Sequence, residues 1–264
     1  MSVTLSRLSK IKIRGVQDMT RWRAGFIHLL ISLLVVGSVA AYVIYFWYPI
    51  PLLPMAKADE LLMMVGGIDL IVGPLLTLIV YKQGKKTLKM DLTVIACIQI
   101  CFLSIGLYTL FASRPVYLVA TERMFNLIFA ADILPDDLKK AKNEYQQFGV
   151  TKPKLVGAVM PKDAKEISRI VLSALGGGSD LQHMPQYYVE YSQMKEQILK
   201  NALPLINPPK VSSENIAILK KAALSYGYQP EDVRFMNLGS SRGFAVILID
   251  AKTAEPIGFV NLDI

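Results

Sequence analysis

The sequence predicts an α-helical membrane unit of three transmembrane helices, followed by a C-terminal α+β soluble domain with an antiparallel sheet. Three apolar runs, each about 20 residues long, precede residue 113, and each could cross a hydrocarbon core of ~30 Å. After residue 113, short β-rich runs alternate with amphipathic segments, as in a globular domain. The predicted division is a basic tail at residues 1–24, the three-helix unit at 25–112 and the soluble domain at 113–264.

The three apolar runs occupy residues 26–47, 61–81 and 92–111. The first run ends in the aromatic sequence Tyr45-Phe-Trp-Tyr-Pro49, which is typical of a membrane interface. A cleaved signal peptide would have a shorter apolar region, followed soon by small residues. We therefore expect the first run to remain as a membrane anchor.

Basic residues predict the orientation of the spans, because cytoplasmic segments are rich in Lys and Arg. The tail has six basic residues against Asp18, and the second connection has four against Asp91. The first connection has only Lys57, which is offset by two acids. The basic residues of the tail and the second connection are Arg7, Lys10, Lys12, Arg14, Arg21, Arg23, Lys82, Lys85, Lys86 and Lys89. The N-terminus and the second connection are thus predicted to be cytoplasmic, with the soluble domain on the opposite side.

The net charge of +8 has the same origin. Six bases and one acid give the tail +5, and four bases and one acid give the second connection +3. The soluble domain is close to balanced, so the charge does not indicate nucleic-acid binding. We expect these basic residues to contact the head groups of anionic membrane lipids.

The second span carries unusual residues near its centre. Gly66, Gly67 and Gly73 permit the close approach of another helix. Pro74 favours a kink. Asp69 lies among them, and a carboxylate at membrane depth costs several kcal/mol unless it is protonated or paired. Asp69 is therefore predicted to be hydrogen-bonded or protonated inside the three-helix unit, or to engage a partner as well. The candidate partners are His28, Ser32, Thr77, Gln99 and a cationic group on a different protein.

The soluble domain is predicted to contain strands at 116–121, 125–130, 154–160, 233–238, 244–250 and 257–262, and helices at 136–148, 161–175, 185–202 and 213–226. Asp163 and Glu166 resemble a capping box at the start of the second of these helices. Ser213 is the predicted N-cap of the last helix, and Gly227 its C-cap.

No pattern of a catalytic or metal site stands out. The soluble domain has one histidine, His183, and both cysteines lie in the third span. The spacing of Cys97 and Cys101 suits either a metal or redox site or two small apolar residues that pack against a neighbouring helix. The sequence Gly176-Gly-Gly-Ser179 lacks the lysine of a phosphate loop and is interpreted as a helix terminator.

Tyrosines are concentrated in the predicted helix 185–202. Tyr187, Tyr188 and Tyr191 fit either a packed core or a surface that faces a partner, because tyrosine is enriched at interfaces. Both interpretations stay open at the level of the sequence.

Four segments of the membrane half combine unusual residues in a fixed order. They are Met19-Thr-Arg-Trp-Arg-Ala-Gly-Phe-Ile-His28, Tyr45-Phe-Trp-Tyr-Pro49, Gly67-Ile-Asp-Leu-Ile-Val-Gly-Pro-Leu-Leu-Thr77 and Leu107-Tyr-Thr-Leu-Phe-Ala-Ser-Arg-Pro-Val-Tyr117. In these segments the chain resembles the type IV pilin accessory proteins of the TfpX/TfpZ type, over roughly its first 120 residues. The soluble half is similar to the family in general arrangement.

The resemblance implies a multi-pass protein of the bacterial inner membrane whose soluble domain is periplasmic. It implies a non-enzymatic factor that binds its cognate type IV pilin subunit, without a cofactor, and promotes its assembly or controls the pilin pool. The pilus assembly machinery is a further expected partner. The alternative is a membrane-anchored periplasmic enzyme acting on an envelope substrate, which would need a pocket with convergent polar groups.

Overall fold

The computed structural model describes residues 20–264 of the chain. The predicted basic tail lies outside the described residues except for positions 20–24. Three helical segments, Arg21–Phe46, Ala58–Val80 and Leu88–Ala112, are long and apolar enough to cross a membrane. These segments confirm the three predicted apolar helices, which begin three to five residues before the predicted runs and end within one residue of them.

The first and third segments are single helices, α1 (Arg21–Phe46) and α4 (Leu88–Ala112). The second consists of α2 (Ala58–Gly67), a π-helical turn (Ile68–Val72) and α3 (Gly73–Val80). A wider turn directly before Pro74 suits a residue that has no backbone N–H to donate. The irregularity predicted from Pro74 therefore takes the form of a π-helical turn, and Asp69 lies on it.

Small residues let the helices approach one another closely. A Cβ atom on Gly25 would lie 2.7 Å from Leu78, and one on Gly106 would lie 2.5 Å from Val65. Both distances are shorter than real contacts of a Cβ atom, so alanine at either position would require Leu78 or Val65 to shift. Glycine thus sets the spacing of this unit, as is common where helices pack in lipid.

The soluble part contains one mixed sheet. Its strands are β1 (Pro115–Ala120), β2 (Phe125–Phe129), β3 (Lys154–Ala158), β4 (Tyr188–Glu190), β5 (Leu203–Pro204), β6 (Val233–Gly239), β7 (Phe244–Asp250) and β8 (Pro256–Val260). The order is β4-β3-β1-β2-β6-β7-β8, with β5 paired to β6. The pairs β1–β3 and β2–β6 are parallel, and the remaining pairs are antiparallel. The predicted C-terminal antiparallel arrangement is confirmed in β6, β7 and β8.

Two hydrophobic clusters hold this sheet. One surrounds Tyr117, Ile170 and Tyr188, and the other surrounds Leu219 and Phe235. The helices are α5 (Pro135–Lys140), α6 (Ala164–Leu175), α7 (Lys195–Asn201) and α8 (Ser213–Ser225). The predicted cap of α6 is confirmed, because the Asp163 side chain accepts a hydrogen bond from the Glu166 N–H at 3.1 Å.

Three predictions of helix extent are wrong. The helix predicted at 136–148 ends at Lys140, and Tyr145 turns into the core, where its carbonyl accepts from the Tyr117 hydroxyl at 3.1 Å. The helix predicted at 185–202 is reduced to α7, since Tyr188 belongs to β4 and pairs with Ala158 of β3. The N-cap of α8 is Ser212 rather than Ser213, because Ser212 accepts from the Asn215 N–H at 3.2 Å.

The described residues pack as two compact units. Residues 20–41 and 61–108 form the helical unit, and residues 42–60 and 109–264 form the second unit. The connection between α1 and α2 therefore packs with the sheet. The predicted division into tail, membrane unit and periplasmic domain depends on where the membrane lies and stays a prediction.

Candidate functional site

A polar cluster connects the helices of the first unit. His28 of α1 lies 2.6 Å through Nδ1 from Thr77 Oγ1 of α3, and 2.7 Å through Nε2 from Gln99 Oε1 of α4. Gln99 Nε2 donates to the backbone carbonyl of Asp69 at 3.2 Å. The structure thus brings together four residues that the sequence singled out around the second span.

The orientation of the Gln99 amide sets the direction of one hydrogen bond of His28. Gln99 Nε2 is a donor to Asp69, so Gln99 Oε1 faces His28 and can only accept. His28 Nε2 therefore donates to it, and Nδ1 lies within hydrogen-bond distance of the Thr77 hydroxyl. The polar side-chain atoms named here are thus all within hydrogen-bond distance of a partner inside the cluster.

The carboxylate of Asp69 is less well satisfied. Asp69 is 4% exposed, and its Oδ1 atom is buried with no hydrogen-bond partner among residues 20–264. Asp69 is residue 12 of the 23-residue segment Ala58–Val80, counting from Ala58, and so lies at its middle. A buried polar atom without a partner is unfavourable in any protein and more so at membrane depth.

A groove lined by α1, Asp69 and α4 leads to this carboxylate; we call it the α1–α4 groove. Its volume is about 180 Å³. The polar part of its lining is His28, Ser32, Asp69 and Gln99, and the rest is apolar, including Ile31 and Ile100. The groove therefore has a mostly apolar lining that fits an apolar segment, together with a small group of polar side chains around Asp69.

The three predicted glycines have different surroundings. A Cβ on Gly73 would lie 2.0 Å from Gln99 Nε2, and one on Gly66 would lie 3.1 Å from Val36. A Cβ on Gly67 would have no neighbour within 4 Å among the described residues. Gly73 and Gly66 thus serve the packing of this chain, whereas Gly67 faces open space.

The structure distinguishes the two interpretations of the tyrosine segment for two of its three members. Tyr188 and Tyr191 are buried, and their hydroxyls donate to the carbonyls of Gln182 and Ala254. Burial raises the pKa of both hydroxyls well above the usual value for tyrosine. Tyr187 is half-buried, and its hydroxyl accepts from Arg169 at 2.8 Å. Core packing, the other interpretation of this sequence, is what the structure shows for Tyr188 and Tyr191.

The structure reveals an apolar surface that the sequence analysis missed. Leu172 and Leu175 on α6 are 68% and 80% exposed, and Val171 beside them is also exposed. We call these three residues the α6 apolar face. Their spacing was a signal, because Val171 and Leu175 follow Ile170 and Ala174 by one residue each and Leu172 follows Ile170 by two, whereas Ile170 itself is buried.

The Arg242 side chain holds two connecting segments of the second unit together. Arg242, between β6 and β7, donates to the carbonyls of Ala56 at 3.0 Å and Ser113 at 3.1 Å, and its guanidinium lies 3.8 Å from the Phe129 ring centroid. Tyr48 Oη lies 2.9 Å from the Ser113 carbonyl. We call these contacts the Arg242 junction. It explains why the connection between α1 and α2 packs with the sheet.

The cysteines do not form a site in this structure. Cys97 and Cys101 are both exposed on α4, which excludes the predicted packing against a neighbouring helix. Among residues 20–264, no group of three or more His, Cys, Asp or Glu side chains is placed to hold a metal ion.

Three helices that are long and apolar enough to cross a membrane, a polar cluster between them and a mixed-sheet domain fit a membrane protein. The family model described as Fimbrial assembly protein FimB matches residues 17–56, which include α1 and the aromatic sequence after it. Together with a relative that is 30% identical over 90% of this chain, this match shows that the chain belongs to the fimbrial assembly protein family.

Relatives from Dichelobacter nodosus establish the family over most of the chain. The fimbrial assembly protein of serogroup I is 30% identical over 240 residues, which cover 90% of this chain and 93% of the relative. The fimbrial assembly protein of serogroup E1 is 29% identical over 240 residues, which also cover 90% of this chain and 93% of the relative. That of serogroups C1 and C2 is 32% identical over 117 residues, or 44% of this chain and 89% of the relative. No solved structure matches the chain. The family resemblance inferred from the sequence is thereby confirmed.

Proposed function

We propose that this protein is a non-enzymatic accessory factor for type IV pilus biogenesis that binds its cognate pilin in the inner membrane. By binding, it promotes pilin assembly or controls the pool of pilin subunits. Family membership supports the role in fimbrial biogenesis. The pilin is the proposed partner, and components of the pilus assembly machinery are further candidates.

The observation that carries this proposal is the unsatisfied carboxylate at the middle of a span. Asp69 is nearly fully buried, lies beside an open groove and has one oxygen without a partner among the described residues. Ionisable residues at membrane depth are costly and are retained where they have a specific use. His28 and Gln99 leave Asp69 Oδ1 without a partner in the described part of the chain, which supports a use in binding another molecule.

The soluble domain offers a second surface for the same partner. A pilin subunit before assembly has an apolar helix in the membrane and a globular head outside it. The α6 apolar face exposes large aliphatic side chains, and exposed apolar patches are typical of contact surfaces. We therefore place the contact with the pilin head on this face. The role of Tyr187 is then to support α6 through the hydrogen bond that its hydroxyl accepts from Arg169.

The orientation belongs to the same proposal. The N-terminus is cytoplasmic, the connection 81–87 is cytoplasmic, and the sheet domain is periplasmic, because the basic residues are concentrated in the tail and in that connection. In this orientation the α6 apolar face is on the side where the pilin head lies.

A deletion strain that carries the cognate pilin tests the function. We expect surface pili to be reduced while pilin synthesis continues. A photoreactive amino acid at Leu172 should capture pilin, whereas one at Leu224, an exposed leucine on α8, should not. Normal piliation in a clean deletion strain would refute the proposal and favour the alternative of a membrane-anchored periplasmic enzyme.

A further inference from the structure

The α1–α4 groove is suited to one kind of occupant. We propose that it is the docking site for a single transmembrane helix of a pilus component, and that this helix presents a hydrogen-bond donor to Asp69 Oδ1. The inference rests on the proposed function, because it takes the partner to be a membrane-embedded pilus protein. It adds the place of contact and the chemistry of recognition.

The depth of Asp69 narrows the choice of occupant. Eleven residues separate Asp69 from either end of the segment Ala58–Val80, which at 1.5 Å per residue places it roughly 16 Å from both ends. Lipid head groups at the membrane surface are too far away to donate to this carboxylate, and acyl chains have no donor. A hydrogen-bond donor at this depth must therefore come from protein.

The contacts of His28 and Gln99 leave one oxygen of Asp69 without a partner among the residues that the structure describes. His28 uses both ring nitrogens, one with Thr77 and one with Gln99. Gln99 Nε2 donates to the backbone carbonyl of Asp69. The oxygen that is left over, Asp69 Oδ1, has no partner among residues 20–264. Electrostatic complementarity thus calls for an external donor, namely an ammonium, amide or hydroxyl group.

The form of the groove calls for a helix. Its sides are contributed by α1 and α4, which expose apolar side chains such as Ile31 and Ile100. An apolar segment in lipid must satisfy its own backbone hydrogen bonds, and a single segment does so only as a helix. A transmembrane helix with one donor at mid-membrane matches both the apolar lining and Asp69.

Matched photocrosslinking positions test the location. Ile100 lines the groove and is 64% exposed, whereas Ile98, on the same helix and 45% exposed, is not part of the lining. On α1, Ile31 and Leu33 form a similar pair. We expect a photoreactive residue at Ile100 or Ile31 to capture the pilin in intact cells, with little capture from Ile98 or Leu33.

Variants of Asp69 test the chemistry. Interhelical hydrogen bonds in membranes are worth enough to change association by about three-fold to thirty-fold. We therefore expect Asp69→Leu to reduce capture from Ile100 by that factor, and Asp69→Asn to reduce it less, since asparagine keeps an acceptor oxygen. Membrane levels of each variant are measured in parallel, so that a folding defect is recognised by the loss of protein.

Each outcome bears on one of the two proposals. Equal capture from Ile100 and Ile98, or capture of a second copy of this chain, would overturn the groove assignment. Capture of pilin from Leu172 but from neither groove position would also overturn it, while leaving the proposed function intact. The proposed function itself fails if no position captures a pilus component and the deletion strain is normally piliated. Equal capture by Asp69→Leu and the unchanged protein would refute the role of the carboxylate.

Discussion

Replacing Arg242 with alanine should loosen the connection between α1 and α2 from the sheet. The substitution removes two hydrogen bonds from a charged donor, to the carbonyls of Ala56 and Ser113, and a cation–π contact with Phe129. Hydrogen bonds of a charged group contribute about 1.5–3 kcal/mol each, and an exposed cation–π contact contributes about 0.5–1 kcal/mol. These values sum to about 3.5–7 kcal/mol, and because Arg242 is only half-buried we take the low end and expect a loss of about 3–4 kcal/mol.

Thermal unfolding of the full chain in detergent micelles measures this loss. For a domain of this size, about 1 kcal/mol corresponds to ~2–4 °C, so we expect the midpoint of the sheet domain to fall by on the order of 10 °C. Arg242→Lys keeps the charge but cannot reach both carbonyls at once, and should fall in between. Arg123→Ala, at an exposed turn between β1 and β2, is the matched control and should shift the midpoint little.

Proteolysis gives the same prediction a local readout. Lys57 follows Ala56, the residue whose carbonyl Arg242 holds. Trypsin should therefore cut after Lys57 faster in Arg242→Ala than in Arg123→Ala. Equal melting midpoints for these two variants would refute the reasoning. So would a lowered midpoint with unchanged cleavage at Lys57, because the loss would then not arise at the junction.

Three further predictions concern the membrane unit and the core. Reporter fusions after Lys86 should indicate the cytoplasm, and fusions after Lys57 or at Ile264 the periplasm; a cytoplasmic C-terminus would overturn the orientation. Asp69→Leu should impair piliation more than Asp69→Asn at equal protein level, and equal damage would mean that the charge itself is required. Burial raises the pKa of Tyr117 to about 12, above its unfolded value of 10.0. The neutral hydroxyl therefore stabilises the fold below pH ~10, and this contribution is lost as the pH rises toward ~12. In Tyr117→Phe the denaturation midpoint should therefore depend less on pH across that range than in the unchanged protein. An equal dependence on pH would contradict this assignment.

Much of the membrane half was predictable because its signals are local. Length and apolarity alone define the three spans, and Asp69 and Pro74 mark the second span as irregular. The hydrogen bonds of His28 were not predictable, because they depend on which faces of α1, α3 and α4 meet. Sequence spacing could name Thr77 and Gln99 as candidates, but only the packing shows that both contact the same imidazole.

In the soluble domain, the dependence on packing explains why α6 was predictable from the sequence and the conformation of the tyrosine segment was not. Helix α6 has a local cap at Asp163 and a regular apolar spacing, so its extent was predicted to within three residues. The segment around Tyr188 has comparable apolar spacing, which favoured a helix. Pairing with β3 and burial of the Tyr188 ring against Tyr117 decide its conformation instead. Those contacts join residues far apart in sequence, and local patterns do not encode them.

The glycines of the second span allow packing within this chain to be separated from binding of a partner. A leucine at Gly73 would collide with Gln99 and disrupt the polar cluster, so Gly73→Leu should lower the amount of protein in the membrane. A side chain at Gly67 would enter open space, so Gly67→Leu should leave the protein level unchanged. If a partner helix approaches this face closely, Gly67→Leu should nevertheless reduce capture of the pilin, because a leucine holds two backbones apart. Comparing the two variants by immunoblot and by crosslinking thus distinguishes an internal contact from an external one. Normal capture with Gly67→Leu would show that the partner does not approach α2 at this position, and would leave the α1–α4 groove as the intramembrane contact.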